Sequence, residues 1–236
     1  VETLPIGGDS PGMWVEVTVP WVNAILENDE PQSPWLQHQL DKQLPIRFYY
    51  SQILWVDQIV NGSDGNVWYR INERYGNPGD IYLARAEAFR PITPEEITPI
   101  SPEVEDKRIE IDINYSRQYL SCYEGNTEVY FCRVSTGKAE NSTPISHYGF
   151  PIWRKLISIH MAGGTVAGGW DLPGIGWSIF FHGTGVAIHS TFWHNNFGEP
   201  SSHGCVNVCP EDAQWIFRWA QPSVPFETGD VTISDD

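Results

Sequence analysis

Ser202-His203-Gly204-Cys205-Val206-Asn207, with Ile188-His189-Ser190-Thr191 a short way upstream, is the stretch that decides how this chain is read. It sets a cysteine two residues after a histidine, with a second histidine close by. A thiol attacks a carbonyl only as thiolate, and an unperturbed cysteine, with a pKa of about 8.5, needs a base or a positive field at neutral pH. In an extended segment residues i and i+2 share a face, so His203 and Cys205 are expected side by side. Gly204 between them would let another backbone approach closely. This is the layout of a cysteine acyl-transfer site.

Working outward, the surrounding chain repeats the pattern of a known family. His189, a variable stretch ending at Pro200 and Ser201, and then Ser202-His203-Gly204-Cys205-Val206-Asn207 resemble the signature of the L,D-transpeptidases, the YkuD-type catalytic domain. Upstream, Arg108-Ile109-Glu110-Ile111-Asp112-Ile113, Gln118-Tyr119-Leu120 and Val134-Ser135-Thr136-Gly137 resemble the family's opening hairpin and V-S-T-G turn. Downstream, Pro210 to Trp215 resembles the helix after the cysteine, and Gly229-Asp230-Val231 the closing strand. One feature departs: the usual Thr-Pro-x-Gly is here Thr143-Pro144-Ile145-Ser146-His147-Tyr148-Gly149, which alters the adjoining cleft wall.

The resemblance implies Cys205 as nucleophile, His203 as general base and the Gly204 carbonyl as its orienting group. Backbone N–H groups at Gly204 and Cys205 would face the developing oxyanion. His189 and Ser190 would line the cleft, and Ser202 and Asn207 would brace the strand. It further implies peptidoglycan stem peptides as donor and acceptor, 3→3 cross-links with loss of D-alanine, acylation by carbapenems, no cofactor, and an extracytoplasmic, secreted or wall-associated location. An L,D-carboxypeptidase, with water as acceptor, fits the same residues. So does a wall-binding protein acting through its N-terminal domain.

Three histidines and a cysteine (His189, His194, His203, Cys205) also raise a zinc site, but their spacing matches no common zinc pattern, and no metal is expected. Trp193 is a candidate for packing against substrate. The glycine-dense run from Gly163 to Gly176 is expected as a lid over the cysteine, with His160 and Trp170 as substrate contacts.

Bulk properties agree with this class. A hydrophobic content of 41% supports a core, and no apolar run approaches the about 18 residues of a membrane span. The net charge of −16 argues against nucleic acid, whose phosphates must be met by Lys and Arg. The first residue is valine, which leaves room for a signal peptide or membrane anchor outside the given sequence. Of four cysteines, Cys122 and Cys132 flank the turn at Glu124-Gly125-Asn126, and either a bridge or two packed thiols is compatible with that spacing. Cys209 stands before Pro210, where an N-cap belongs.

The expected fold is mainly β: an N-terminal SH3-like small barrel (residues 1–92), a Pro-rich linker (93–106), and a β-sandwich-like catalytic domain with few helices (107–236). Trp14–Val19, Ile53–Val60 and Val67–Ile71 read as strands, the last two joined by Asn61-Gly62-Ser63-Asp64-Gly65. Trp55, Trp68 and Tyr69 would offer an aromatic cleft, and Pro34–Leu40 suits a helical turn or two. In the second region Arg108–Ile113, Gln118–Glu124 and Val129–Ser135 read as strands. Pro210–Ala220 reads as a helix, with proline at its start and an apolar stripe through Ala213, Ile216 and Ala220.

Overall fold

The computed structural model describes residues 12–233. Over these residues the chain is mainly β with two α-helices and two sheets, and it divides into two compact units. One unit runs to Thr93 and also takes Ser158–Ile175; the other holds Pro94–Ile157 and the chain from Gly176 onward.

In the first unit β1 (Met13–Val17), β2 (Trp21–Leu26), β3 (Ile46–Tyr49), β4 (Ile53–Asn61), β5 (Val67–Ile71), β6 (Tyr82–Arg85) and β7 (Phe89–Pro91) form a seven-stranded sheet, ordered β3-β2-β6-β5-β4-β1-β7. Alternate residues of these strands supply one core: Val15, Val17, Phe48, Leu54, Val56, Ile71, Tyr82 and Ala84. Trp14 and Trp55 are buried and meet edge to face at 4.8 Å, so Trp55 belongs to packing and not to an open cleft. Helix α1 (Pro34–Asp41) starts where local chemistry favours it: Ser33 Oγ accepts the Leu36 N–H, and Pro34 fills the first helical position.

The second unit holds β8 (Lys107–Asp112), β9 (Tyr119–Glu124), β10 (Thr127–Ser135), β13 (Val186–Ser190), β14 (Val206–Val208), β15 (Asp230–Thr232) and helix α2 (Pro210–Trp219). With β11 (Arg154–Gly163) and β12 (Trp170–His182) its strands are ordered β15-β11-β12-β13-β14-β10-β9-β8. In α2 the acidic Glu211 and Asp212 sit in the first turn and Arg218 in the last, as the helix dipole favours, and Ala213, Ile216, Phe217 and Trp219 are buried. Cys209 occupies the N-cap position but makes no side-chain cap bond. The C-terminal end is capped from outside: Lys155 Nζ, 1% exposed, donates to the carbonyls of Phe217, Ala220 and Pro222. An ammonium has three donors, and each has an acceptor here.

All four cysteines are free thiols. In the β9–β10 hairpin Cys122 lies opposite Tyr130 and Cys132 opposite Leu120. The two cysteines are therefore diagonal neighbours on one face, roughly 7–8 Å apart, past the usual disulfide range. Both are buried, and burial pushes the Cys122 thiol up to about 12.

The glycine-dense run differs from the expected loop. It is mostly strand: β11 ends at Gly163 and β12 begins at Trp170, leaving a short connection at 164–169. Its glycines serve close packing. A Cβ on Gly163 would stand 2.6 Å from the Trp170 ring, and one on Gly169 would stand 2.1 Å from the Gly163 carbonyl oxygen. The outer halves of both strands, residues 158–175, group with the first unit.

Candidate active site

The site is built on a parallel pair of short strands. In β13 and β14, Ile188 lies opposite Val206, His189 opposite Asn207 and Ser190 opposite Val208. One residue earlier, the Ala187 N–H meets the Cys205 sulfur. Opposite residues of a ladder share a face, and the face repeats every second residue. Asn207, Ala187 and His189 therefore stand on one side of the sheet, with Cys205 next to Ala187 at the entry to β14. Strand spacing and rise put the Cys205 and His189 backbones about 8 Å apart, which a thiol and an imidazole can bridge.

His189 is buried, and its Nδ1 donates to the Ser190 carbonyl at 2.9 Å. That bond fixes the proton on Nδ1 and leaves Nε2 as the basic nitrogen. Burial pulls the His189 pKa down to about 4, the Ser190 carbonyl acting against it and His194 with it, so the ring is neutral at pH 7. The Cys205 thiol is raised by burial, with the Ala187 N–H opposing. Thiol and imidazole thus rest as a neutral pair, and a thiolate forms only as the ring takes the proton.

The same geometry bears on the roles read from sequence. His203 was expected as base with the Gly204 carbonyl orienting it. The side chain of His203 is exposed, and the Gly204 carbonyl instead accepts a hydrogen bond from Thr143 Oγ1 at 2.7 Å. The physical reason is local. Gly204 has φ +126°, and β14 begins only at Val206, so the extended alternation that would pair His203 with Cys205 does not hold there. The Gly204 N–H is also engaged, donating to Ser202 Oγ at 3.0 Å.

Ser202 closes the loop around the cysteine, since its hydroxyl in turn donates to the Cys205 carbonyl at 2.5 Å. The loop is tied to the Val134–Gly137 turn: Ser201 and Ser202 N–H groups donate to the Thr136 carbonyl, and Lys138 N–H to the Ser202 carbonyl. Thr143 completes the tie, accepting the Gly137 N–H at 2.9 Å while it donates to Gly204. Gly137 is required by close approach, because a Cβ there would stand 2.0 Å from the Asn141 carbonyl oxygen. Asn207 braces the next layer, its amide 2.9 Å from His194 Nε2. Trp193 is 41% exposed, with its ring centroid 5.9 Å from that of His189.

Thr143 and the buried carbonyl of Ser190 went unassigned in the sequence. Thr143 was visible only as part of an irregular Thr-Pro motif. The extra residues after it rim a groove of about 1020 Å³ lined by Ile109, Ile111, Thr143, Tyr148, Phe181 and Ile188. Ile188 faces the side of β13 away from His189, so the groove adjoins the site through Thr143 and does not contain the cysteine.

His160 and Trp170, expected as substrate contacts, lie in the segment that groups with the first unit. His160 is buried with Nδ1 3.0 Å from Glu73 and Nε2 2.5 Å from Asp171, so neither ring nitrogen is left for a ligand. Burial alone would depress this ring, but Asp171 and Glu73 outweigh it and raise its pKa to about 10. Trp170 packs against Gly163. Among the described residues no group of three or more His, Cys, Asp or Glu is placed to hold a metal ion.

Comparison with known proteins gives the same direction. The L,D-transpeptidase catalytic domain model, YkuD, matches residues 106–228. A crystal structure of a cysteine-to-serine mutant of the Enterococcus faecium L,D-transpeptidase is 22% identical with a TM-score of 0.45, over 56% of this chain and 51% of that one. An L,D-transpeptidase from Mycobacterium smegmatis is 16% identical with a TM-score of 0.43, over 71% and 90%. The catalytic domain of the E. faecium enzyme acylated by ertapenem is 20% identical with a TM-score of 0.37, over 55% and 98%. The chain spans about half the length of the first of these. No curated protein sequence matches it. With more than half of its residues matched by the family model, the chain belongs to the L,D-transpeptidase catalytic domain family.

Proposed function

We propose that this protein is a cysteine L,D-transpeptidase that forms 3→3 cross-links in peptidoglycan. The family acts on peptidoglycan stem peptides, and the chemistry assigned to this chain follows from its own residues. His189 Nε2 takes the Cys205 proton as the sulfur attacks the carbonyl of the third residue of a tetrapeptide donor. The tetrahedral oxyanion collapses to a thioester, and His189 returns the proton to the departing amine of D-alanine. A side-chain amine of a second stem then attacks the thioester, His189 accepts its proton, and Cys205 leaves as the regenerated thiol. Ser202 and Thr143 hold the turn that presents the sulfur, and Trp193 borders the imidazole.

The observation that carries this reading is the pairing of β13 with β14, which sets an imidazole with a fixed tautomer on the strand beside the thiol. The reading places the protein outside the cytoplasm, with the first unit as an SH3-like wall-facing domain and the second unit as the catalytic domain. An anchor outside the given sequence is compatible with it. Acylation of Cys205 by carbapenems is expected.

The test is mass spectrometry of products from purified disaccharide-tetrapeptide, with Cys205→Ala as control. Cysteine-dependent dimer with loss of D-alanine supports the transpeptidase. Tripeptide without dimer makes the enzyme an L,D-carboxypeptidase. Products unchanged by the Cys205→Ala substitution refute the assignment.

A further inference from the structure

The outer face of the first unit exposes a row of aromatic and polar side chains. On β2 the side chains of Trp21, Asn23 and Ile25 alternate outward, with Trp21 48% and Ile25 55% exposed. Across β6, Trp68 lies opposite Arg85, and these residues line a groove of about 530 Å³. From the registers Ala24 opposite Ala84 and Trp68 opposite Arg85, Trp21 and Trp68 are two strand spacings and two residues apart, about 12 Å.

Planar polar groups frame both indoles. The Arg47 guanidinium lies 4.2 Å over the Trp21 ring and donates to Asn23 Oδ1 at 3.2 Å. Arg85 lies 5.7 Å from the Trp68 ring and pairs with Asp64 and Glu87, and the Trp68 N–H donates to Asp64. Arg47 and Arg85 balance Asp64 and Glu87, so the groove is neutral on a chain of net charge −16. It therefore has no attraction for a polyanion and no repulsion for an uncharged polymer.

A ligand for this surface needs apolar ring faces spaced to meet two indoles, and edges that both donate and accept hydrogen bonds. Pyranose rings have such faces, and their hydroxyl and acetamido groups satisfy guanidinium, carboxylate and amide partners together. A proline-rich peptide would use the indoles but, its proline nitrogens carrying no N–H, would offer few donors to the framing carboxylates. We infer that this groove binds an uncharged glycan strand of N-acetylated amino sugars and so holds the polymer that carries the stem peptides. The inference rests on the wall substrate proposed above.

The test uses the full chain and the tetramer of N-acetylglucosamine, titrated by calorimetry, with folding of each variant checked by near-UV circular dichroism. Saturable binding with a Kd on the order of 0.1–1 mM is expected. Trp21→Ala and Trp68→Ala should each weaken it at least tenfold, Arg47→Ala should weaken it less, and Tyr115→Ala in the other unit should leave it unchanged. No saturable binding, wild-type affinity in either tryptophan variant, or capture of a proline-rich peptide that the glycan does not displace overturns the inference. Release of D-alanine from a soluble tetrapeptide is followed on the same samples and should be unaffected by the tryptophan changes. In the wild type, release without any glycan binding refutes this inference alone, and glycan binding without release refutes the transpeptidase reading.

Discussion

Replacing Thr143 by valine tests whether the turn that presents Cys205 is held by one hydroxyl. Thr143 is 5% exposed, and its Oγ1 both accepts the Gly137 N–H and donates to the Gly204 carbonyl. Valine keeps the volume and removes both bonds, leaving a buried donor and a buried acceptor unpaired. Each such loss costs about 1–3 kcal/mol, so the variant should be less stable by roughly 2–4 kcal/mol. For a chain of this size that is a fall in Tm of about 5–10 °C. Gly204 precedes the nucleophile, so its displacement should also slow acylation of Cys205 about 10- to 100-fold. Thermal melts and time-resolved intact-mass spectrometry with a carbapenem read the two effects. Thr143→Ser keeps the hydroxyl and should restore most of the rate. A valine variant within 0.5 kcal/mol of the wild type in stability and within twofold in rate, thresholds set at roughly the scatter of surface substitutions, would refute the reasoning.

Three further outcomes follow from named contacts. Lys155→Met removes the donor to three carbonyls at the end of α2 and should cost roughly 3 kcal/mol in urea unfolding. Because burial holds Lys155 at about 7, below its ordinary range, the unfolded chain binds the extra proton between that value and 10.5; stability of the wild type should rise with pH there, and the methionine variant should lose that rise. His160 is raised to about 10, so its contribution is complete below the ordinary histidine value and is lost as pH rises through 10. Asp171→Asn should flatten this alkaline loss in hydrogen exchange of the first unit. Gly137→Ala must push the Asn141 carbonyl away from a new Cβ and should destabilise by about 1–3 kcal/mol, read from denaturant midpoints.

The elements with strong local signals were legible in the sequence. The period-two runs around Trp14, Ile53 and Val67 form strands, and Pro210 with Glu211 and Asp212 opens a helix. The glycine-rich run misled because glycine serves two purposes. Here Gly163 and Gly169 admit an indole and a neighbouring backbone, and the stretch is mostly strand where a loop was expected. The pairing of histidine with cysteine was read from sequence proximity, where His203 is two residues away. The partner proposed here comes from the next strand, where the β13–β14 register brings His189 to the same face as Asn207. Nothing in local sequence encodes a parallel register between segments separated by a long loop. The role of Thr143 was hidden for the same reason, since both its partners are backbone groups distant in sequence.

The central claim is that Cys205 is an acyl-transfer nucleophile served by His189. It is tested most directly by the rate of Cys205 acylation by a carbapenem across pH, in wild type, His189→Ala and His203→Ala, followed by intact mass. The account predicts a rate roughly 10²–10⁴-fold lower in His189→Ala, as for loss of a general base. It predicts a rate within about tenfold of wild type in His203→Ala, where the exposed ring is not the general base of this account. The wild-type profile should hold through neutral pH and fall only as His189 is protonated near pH 4. Acylation that survives in His189→Ala and is lost in His203→Ala would contradict it.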